Sequence, residues 1–235
     1  METSRLDLPV GVTLRLQSRS GKVLVIAEAR EDIEVETDDV ETRVEDGGGA
    51  LMVRSGRGGT KTLTVRAPID TDVQVGTQSG SVRMQGKLGA ISITTMSGDI
   101  EVDDAEELDA RSLSGKVTVG RCRGRCRLNA VSGRIYGGDV DTAYAQSVSG
   151  SIKFDRVLGD VRAKTVSGSI DLNALGDGVI ALKTISGKMR IVLPAGTEPH
   201  TLFKTRGSVR CDFAEGRDCR IEAHSLSGSI EVVPA

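Results

Sequence analysis

One short phrase recurs along this chain at nearly constant intervals, and that recurrence limits the available folds more than any other feature. Residues 164–172 read KTVSGSIDL, with close copies at 147–154 (SVSGSIKF), 184–191 (TISGKMRI) and 225–232 (SLSGSIEV). Ser-Gly pairs begin at Ser79, Ser97, Ser114, Ser132, Ser149, Ser167 and Ser186, a period of about 18 residues that varies by no more than one. The signal continues through Gly207 in TRGSV and Ser227 in SLSGSI, while earlier pairs at Ser20 and Ser55 stand further apart. A fixed period of this length marks a repeat architecture whose units are stable only as stacked neighbours.

Within each unit the apolar residues alternate. Ile152 and Phe154, Ile170 and Leu172, Met189 and Ile191, and Val117 and Val119 follow the Ser by three and five positions. Val161 and Ala163, Ile180 and Leu182, and Ile91 and Ile93 precede it by six and four, and a small residue (Thr95, Ser112, Ala130, Ser147, Thr165, Thr184) stands two before it. This is strand periodicity with one face buried. Its phase slips at the Gly, which predicts a bend there. The turn set is Gly80, Gly98, Gly115, Gly133, Gly150, Gly168, Gly187, Gly207 and Gly228.

No stretch carries a sustained helical stripe. With 29 Gly, no Trp, two Tyr and three Phe, the chain also lacks the aromatics that fill a thick core. Small and β-branched residues suit a thin, layered interior. The expected fold is therefore all-β: a single-stranded β-solenoid with about 17–21 residues per coil. A right-handed parallel β-helix is favoured over a left-handed one, because the six-residue apolar series Ile152, Leu158, Lys164, Ile170 breaks at Lys164. Residues 1–66 read instead as longer strands with Gly-rich turns, an irregular β cap over the first coil, leaving 67–235 as one continuous regular solenoid.

The phrase LTVRAPIDTDVQVGTQSGSV at 63–82 and the recurring T-x-SG-x-I-x-V units resemble a bacterial family labelled putative adhesin, β-strand repeat proteins of unknown function. The resemblance covers nearly the whole chain, most clearly residues 63–233. It implies a β-solenoid and a non-catalytic role, often linked to the cell envelope, and it supplies no catalytic residues to carry over.

Candidate chemistry is sparse. Cys122 and Cys126 in RCRGRCR are too widely spaced for a paired zinc motif, and Cys211 and Cys219 lie several coils away. Cys122, Cys126 and Cys211 fall on inward positions and read as core thiols. The two histidines, His200 and His224, belong to no catalytic spacing, and the repeated Ser reads as a turn residue that bonds local backbone. No phosphate loop appears, and the lone GGD at 137–139 is too little for a calcium-binding repeat. No catalytic residue, cofactor or metal site is expected. A polysaccharide-processing β-helix is the enzymatic alternative; it would need carboxylates gathered on adjacent coils, whereas the acidic stretch DIEVDDAEELD at 99–109 sits largely within one coil.

Charge is uneven. Residues 1–110 hold 12 Lys and Arg against 21 Asp and Glu, and residues 111–235 hold 19 against 12. The candidate interaction surface of the basic part comprises Arg111, Lys153, Lys164, Lys183, Lys188, Arg190, Lys204 and Arg210. It suits a protein partner, an anionic polymer or a membrane surface. Nucleic acid is disfavoured, because few aromatics interleave with the cations.

A second pattern concerns the residue just before each Ser: Met96, Leu113, Val131, Val148, Val166 and Ile185. Strict alternation points it outward. Either the bend folds this column into a corner of the core, the favoured expectation, or it forms an exposed apolar ladder able to bind a partner. The last unit, SLSGSIEVVPA, looks like an unpaired terminal coil, so end-to-end self-association and a filament-forming role are further expectations. No signal peptide or transmembrane segment is evident, which places the chain in the cytoplasm as written, or at the envelope if a leader has been removed.

Overall fold

The computed structural model describes residues 2–7, 13–38, 43–46, 50–54, 62–175 and 177–235. Every regular element in them is a β-strand. The chain divides into two compact units, Met1–Gly120 and Arg121–Ala235. The boundary expected near residue 66 falls inside the first.

The first unit contains β1 (Glu2–Asp7), β2 (Thr13–Glu28), β3 (Asp32–Thr37), β4 (Arg43–Asp46), β5 (Ala50–Arg54), β6 (Thr62–Pro68), β7 (Val73–Ser97) and β8 (Ile100–Ser114). β7 and β8 run parallel with Val82 against Ile100 and Ser97 against Ser114, so registered partners are the repeat-equivalent residues. β2 is one of these regular strands. It pairs parallel with β7, and Ser20 and Gly21 meet Ser79 and Gly80. Its other edge pairs parallel with β5 and β6, which follow it in sequence. The antiparallel pairings here are those of β3 with β1 and β6, and of β4 with β5. Within the stretch 1–66, expected as an irregular cap, residues 13–28 form a strand paired on both edges. Ser55 lies outside the described residues.

β9 (Val117–Ser132) spans the division. The second unit continues with β10 (Ile135–Ser149), β11 (Ile152–Val157), β12 (Val161–Ser167), β13 (Ile170–Ala174), β14 (Val179–Ser186), β15 (Met189–Leu193), β16 (His200–Lys204), β17 (Val209–Cys211), β18 (Arg220–Ser225) and β19 (Ile230–Pro234). They stack in two parallel columns. One takes residues 143–149 of β10, then β12, β14, β18 and β16. The other takes the first half of β10, then β11, β13, β15, β19 and β17. Ile135 registers with Ile152, Ile152 with Ile170 and Ile170 with Met189, each step one repeat further along the chain.

The inward set read from the sequence is buried throughout, from Ile91 and Ile93 to Met189 and Ile191, with Phe154 the largest fully buried side chain. The small column two before each Ser is also buried, and some of its hydroxyls reach backbone carbonyls: Thr165 donates to Gly150 at 3.4 Å, Thr184 to Ser186 at 3.3 Å, and Thr205, at the equivalent place of a later coil, to Gly228 at 2.8 Å. Those of Thr95, Ser112 and Ser147 have no hydrogen-bond partner among the described residues. The Ser of the Ser-Gly pair acts mainly through its backbone. Its carbonyl accepts the Gly N–H of the preceding coil, as from Gly150 to Ser167 (3.2 Å) and from Gly168 to Ser186 (3.3 Å). Glycine is required because successive coils touch at this corner. A Cβ on Gly150 would stand 1.9 Å from the Gly133 carbonyl oxygen; on Gly187, whose φ is +147°, it would stand 2.0 Å from that of Gly168.

Stacking order departs from sequence order at the far end. Met189 registers with Ile230 rather than with Val209, and Ile230 registers in turn with Val209. The Met189 N–H donates to Ser229 and the Ile230 N–H to Ser208, each at 2.9 Å. The coil built from β18 and β19 is therefore interior, and β16 with β17 forms the outer edge. This corrects the expectation of an open terminal coil at SLSGSIEVVPA, since β19 is bonded on both sides. The reason lies in side-chain quality. Residues 220–234 bring Ile221, Ala223, Ile230 and Val232 inward, all fully buried. Residues 200–211 offer Thr201, Phe203, Val209 and Cys211 at the same register positions, none buried and Val209 46% exposed. The poorer coil takes the place where only one side must pack.

Candidate functional site

The outward positions of the second unit make two sheet faces that differ in how they handle charge. On the face of β11, β13, β15, β19 and β17, one column reads Lys153, Asp171, Arg190, Glu231 and Arg210, each registered against the next. The signs alternate up the stack. Ion pairs reinforce it: Lys153 with Asp155 at 3.1 Å, Lys188 with Glu231 at 2.7 Å and Arg210 with Asp212 at 2.8 Å. The Tyr136 hydroxyl donates to Asp155, which with Lys153 holds that carboxyl below the ordinary aspartate range. An open groove here is lined by Lys153, Asp155, Asp171, Asn173, Arg190 and Val192. Its two carboxylates, Asp155 and Asp171, both lie beside Lys153, the first paired with it and the second registered against it, which makes a neutralised surface.

The face of β12, β14, β18 and β16 is built differently. Three before the Ser, Gln146 registers with Lys164, Lys164 with Lys183, Lys183 with His224 and His224 with Lys204. Lysines directly opposite one another repel. Two positions earlier stand Arg127, Tyr144, Arg162, Ala181 and Glu222, with Arg162 5.7 Å from the Tyr144 ring centroid. Arg206 follows Lys204 at the outer edge. Among the described residues none of Arg127, Arg162, Lys164, Lys183, Lys204 and Arg206 has an ion-pair partner. The one carboxylate of these columns, Glu222, is held by Arg220 at 2.6 Å.

Beside these cations runs the residue preceding each Ser. Val131 (41% exposed), Val148 (48%), Val166 (43%), Ile185 (49%) and Leu226 (53%) form a continuous apolar ladder over five coils of the second unit. In the first unit Met96 and Leu113 are likewise exposed. The expected corner of the core is thus corrected: strand geometry holds as far as the Ser, so alternation turns this residue outward before the Gly bends the chain. Leu226, directly before Ser227 in SLSGSI, belongs to the same set.

The structure therefore splits the sequence-derived surface. Lys164, Lys183 and Lys204 share the ladder face, while Lys153, Lys188, Arg190 and Arg210 belong to the neutralised one. Arg111 lies in the first unit and pairs with Asp109 at 2.8 Å. Arg127, Arg162 and Arg206 were missed because no single repeat position holds them all. Of the cysteines, Cys122, Cys126 and Cys219 are buried, and Cys211 occupies an inward position at the outer coil. The contact with Cys122, together with burial, pushes the Cys126 thiol well up, away from nucleophilic character. Asp99 accepts the Lys116 N–H at 2.7 Å, giving that carboxylate a structural task. Among the described residues no group of three or more His, Cys, Asp or Glu side chains converges as a metal site would require, and no helix is long and apolar enough to cross a membrane.

An all-β chain with stacked parallel strands and an unneutralised outer face is the setting for the comparisons with known proteins. The chain belongs to the family described as Toastrack DUF4097, whose model matches residues 13–234. Among solved structures it is similar to a putative adhesin from Bacteroides fragilis NCTC 9343, at 12% identity and a TM-score of 0.56, with 100% of this chain and 96% of that one covered. It is also similar to a putative adhesin from Parabacteroides distasonis ATCC 8503 (8% identity, TM-score 0.48, 98% and 96% covered). A third is a putative lipid binding protein from the same organism (15% identity, TM-score 0.48, 100% and 96% covered). These likenesses concern the fold alone. No curated protein matches the chain.

Proposed function

We propose that this protein is a non-catalytic, adhesin-like scaffold that binds an anionic partner through the ladder face of its second unit. In the same proposal the chain winds as a right-handed β-solenoid with the coil size expected from its repeat. The observation that carries the functional part is the register of Lys164 against Lys183, with neither lysine neutralised. Like charges directly opposite each other destabilise a sheet. An outside anion relieves that repulsion, whereas the neighbouring face relieves its own. The adhesin names of the similar structures agree with a binding role, and no observation favours the polysaccharide-processing or filament-forming alternatives.

The test is retention of the purified protein on immobilised dextran sulfate under a salt gradient. The wild type is expected to be retained, with Lys164→Gln/Lys183→Gln eluting at distinctly lower salt and Lys153→Gln/Lys188→Gln close to wild type. Failure to bind, or equal loss from both pairs, overturns the assignment.

A further inference from the structure

Cations alone suit many polyanions, but the ladder beside them narrows the choice. Val131, Val148, Val166, Ile185 and Leu226 leave roughly half of each side chain in water. With strands about 4.8 Å apart, the column runs on the order of 19 Å. Contiguous apolar surface of this kind marks an interaction site. A sulfated or phosphorylated polymer would satisfy the lysines and leave the aliphatic column wet. A protein partner would require a matching acidic and apolar strip. An anionic bilayer offers both environments side by side, phosphates at the headgroup level and hydrocarbon just beneath.

We propose that the ladder face of the second unit is a docking surface for an anionic lipid bilayer, an inference that rests on the anionic-partner assignment above. The valines, Ile185 and Leu226 enter the boundary between headgroups and acyl chains. Lys164, Lys183 and Lys204 lie alongside, with stems long enough to cover apolar surface while their ammonium groups reach phosphate. Arg127, Arg162 and Arg206 add donors suited to phosphate oxygens. Charge complementarity selects the occupant: six cations without ion-pair partners among the described residues share a face on which the one carboxylate of their columns, Glu222, is already engaged by Arg220 at 2.6 Å. The other face of the same coils, with its alternating signs and ion pairs, lacks both the surplus charge and a continuous apolar column.

The experiment is co-sedimentation with phosphatidylcholine vesicles prepared with and without phosphatidylglycerol, run beside the dextran sulfate column. Binding is expected only to the anionic vesicles. A lysine near such a surface contributes about fivefold in affinity, so Lys164→Gln/Lys183→Gln should weaken it by about 25-fold. Val148→Ser/Val166→Ser should weaken vesicle binding while leaving dextran sulfate retention unchanged, a pattern that a purely electrostatic face would not give. Both pairs are exposed, and an unchanged thermal melt confirms that each variant is folded. Retention on dextran sulfate without vesicle binding overturns the bilayer inference and leaves the anionic-partner assignment standing. Absence of both overturns both. Vesicle binding insensitive to the valine pair, or equally sensitive to Lys153→Gln/Lys188→Gln, overturns the docking surface.

Discussion

The two faces of the second unit are made by the same coils, yet they treat charge in opposite ways. Up the β13–β15–β19 face, Asp171, Arg190 and Glu231 alternate in sign. Up the β12–β14 face, Lys164 sits on Lys183. One face is stable by itself, and the other is left with a repulsion and a row of exposed aliphatic side chains. A repeat makes such contrasts easy to see, because backbone, core and corner are nearly constant from coil to coil. What varies at an outward position is free to serve something other than folding.

The corner glycines bound the comparison, because both faces depend on them. Gly187→Ala drives a Cβ into the Gly168 carbonyl oxygen; it is expected to destabilise the protein by about 4 kcal/mol in chemical denaturation and to remove any difference between the faces. Next comes the contrast across the sheet. Ile170→Ala, in the core, should lower stability by about 3 kcal/mol. Val166→Lys, on the ladder, should stay within about 0.5 kcal/mol of wild type, and a marked loss there would mean that the ladder is part of the core after all.

Charge reversals sharpen the contrast further. Arg190→Glu places three acids in one column and should destabilise by about 1 kcal/mol, a loss partly recovered by salt. Lys183→Glu gives Lys164 an opposite neighbour and should be neutral or stabilising by about 0.3 kcal/mol. The smallest effect is pH-dependent. Asp155 has a folded pKa below its unfolded value, owing first to the Tyr136 hydroxyl and then to Lys153. Its contribution is therefore present above the unfolded value, about 3.9, and lost as pH falls through the lower folded one. Tyr136→Phe should melt slightly earlier than wild type at neutral pH, and the gap should close on acidification below about pH 4. A gap that widens on acidification would refute the assignment.

Much of the fold was legible in the residues. Ile152, Phe154, Ile170 and their equivalents show the inward set, and the Ser-Gly pairs show the corner, because stacking demands the same solution in each coil. Two things were not legible. Alternation alone placed Val148 and Val166 outside, but apolar character argued for a corner of the core; only the extended backbone up to Ser149 and Ser167 decides between them. Nor could the charged residues be sorted. Arg190 registers on one side with Asp171, in the preceding repeat, and on the other with Glu231, which lies beyond the whole of β16, β17 and β18. A local reading of the repeat does not contain that second step, because it assumes that each coil stacks on the next in sequence.

That broken order has a consequence for how a nascent chain matures. Residues 200–211 leave the ribosome before their partners, β18 and β19, exist. At about 5–20 residues per second, the stretch from Val209 to Ile230 takes roughly 1–4 s to synthesise. During that interval the edge of β14 and β15 is bare, and the early-arriving coil can settle there out of place. A coil that did so would have to be displaced by a latecomer with better side chains. Two coils are thus candidates for one edge during synthesis, and the finished structure gives it to the one that brings Ile221, Ala223, Ile230 and Val232 rather than Thr201, Phe203, Val209 and Cys211.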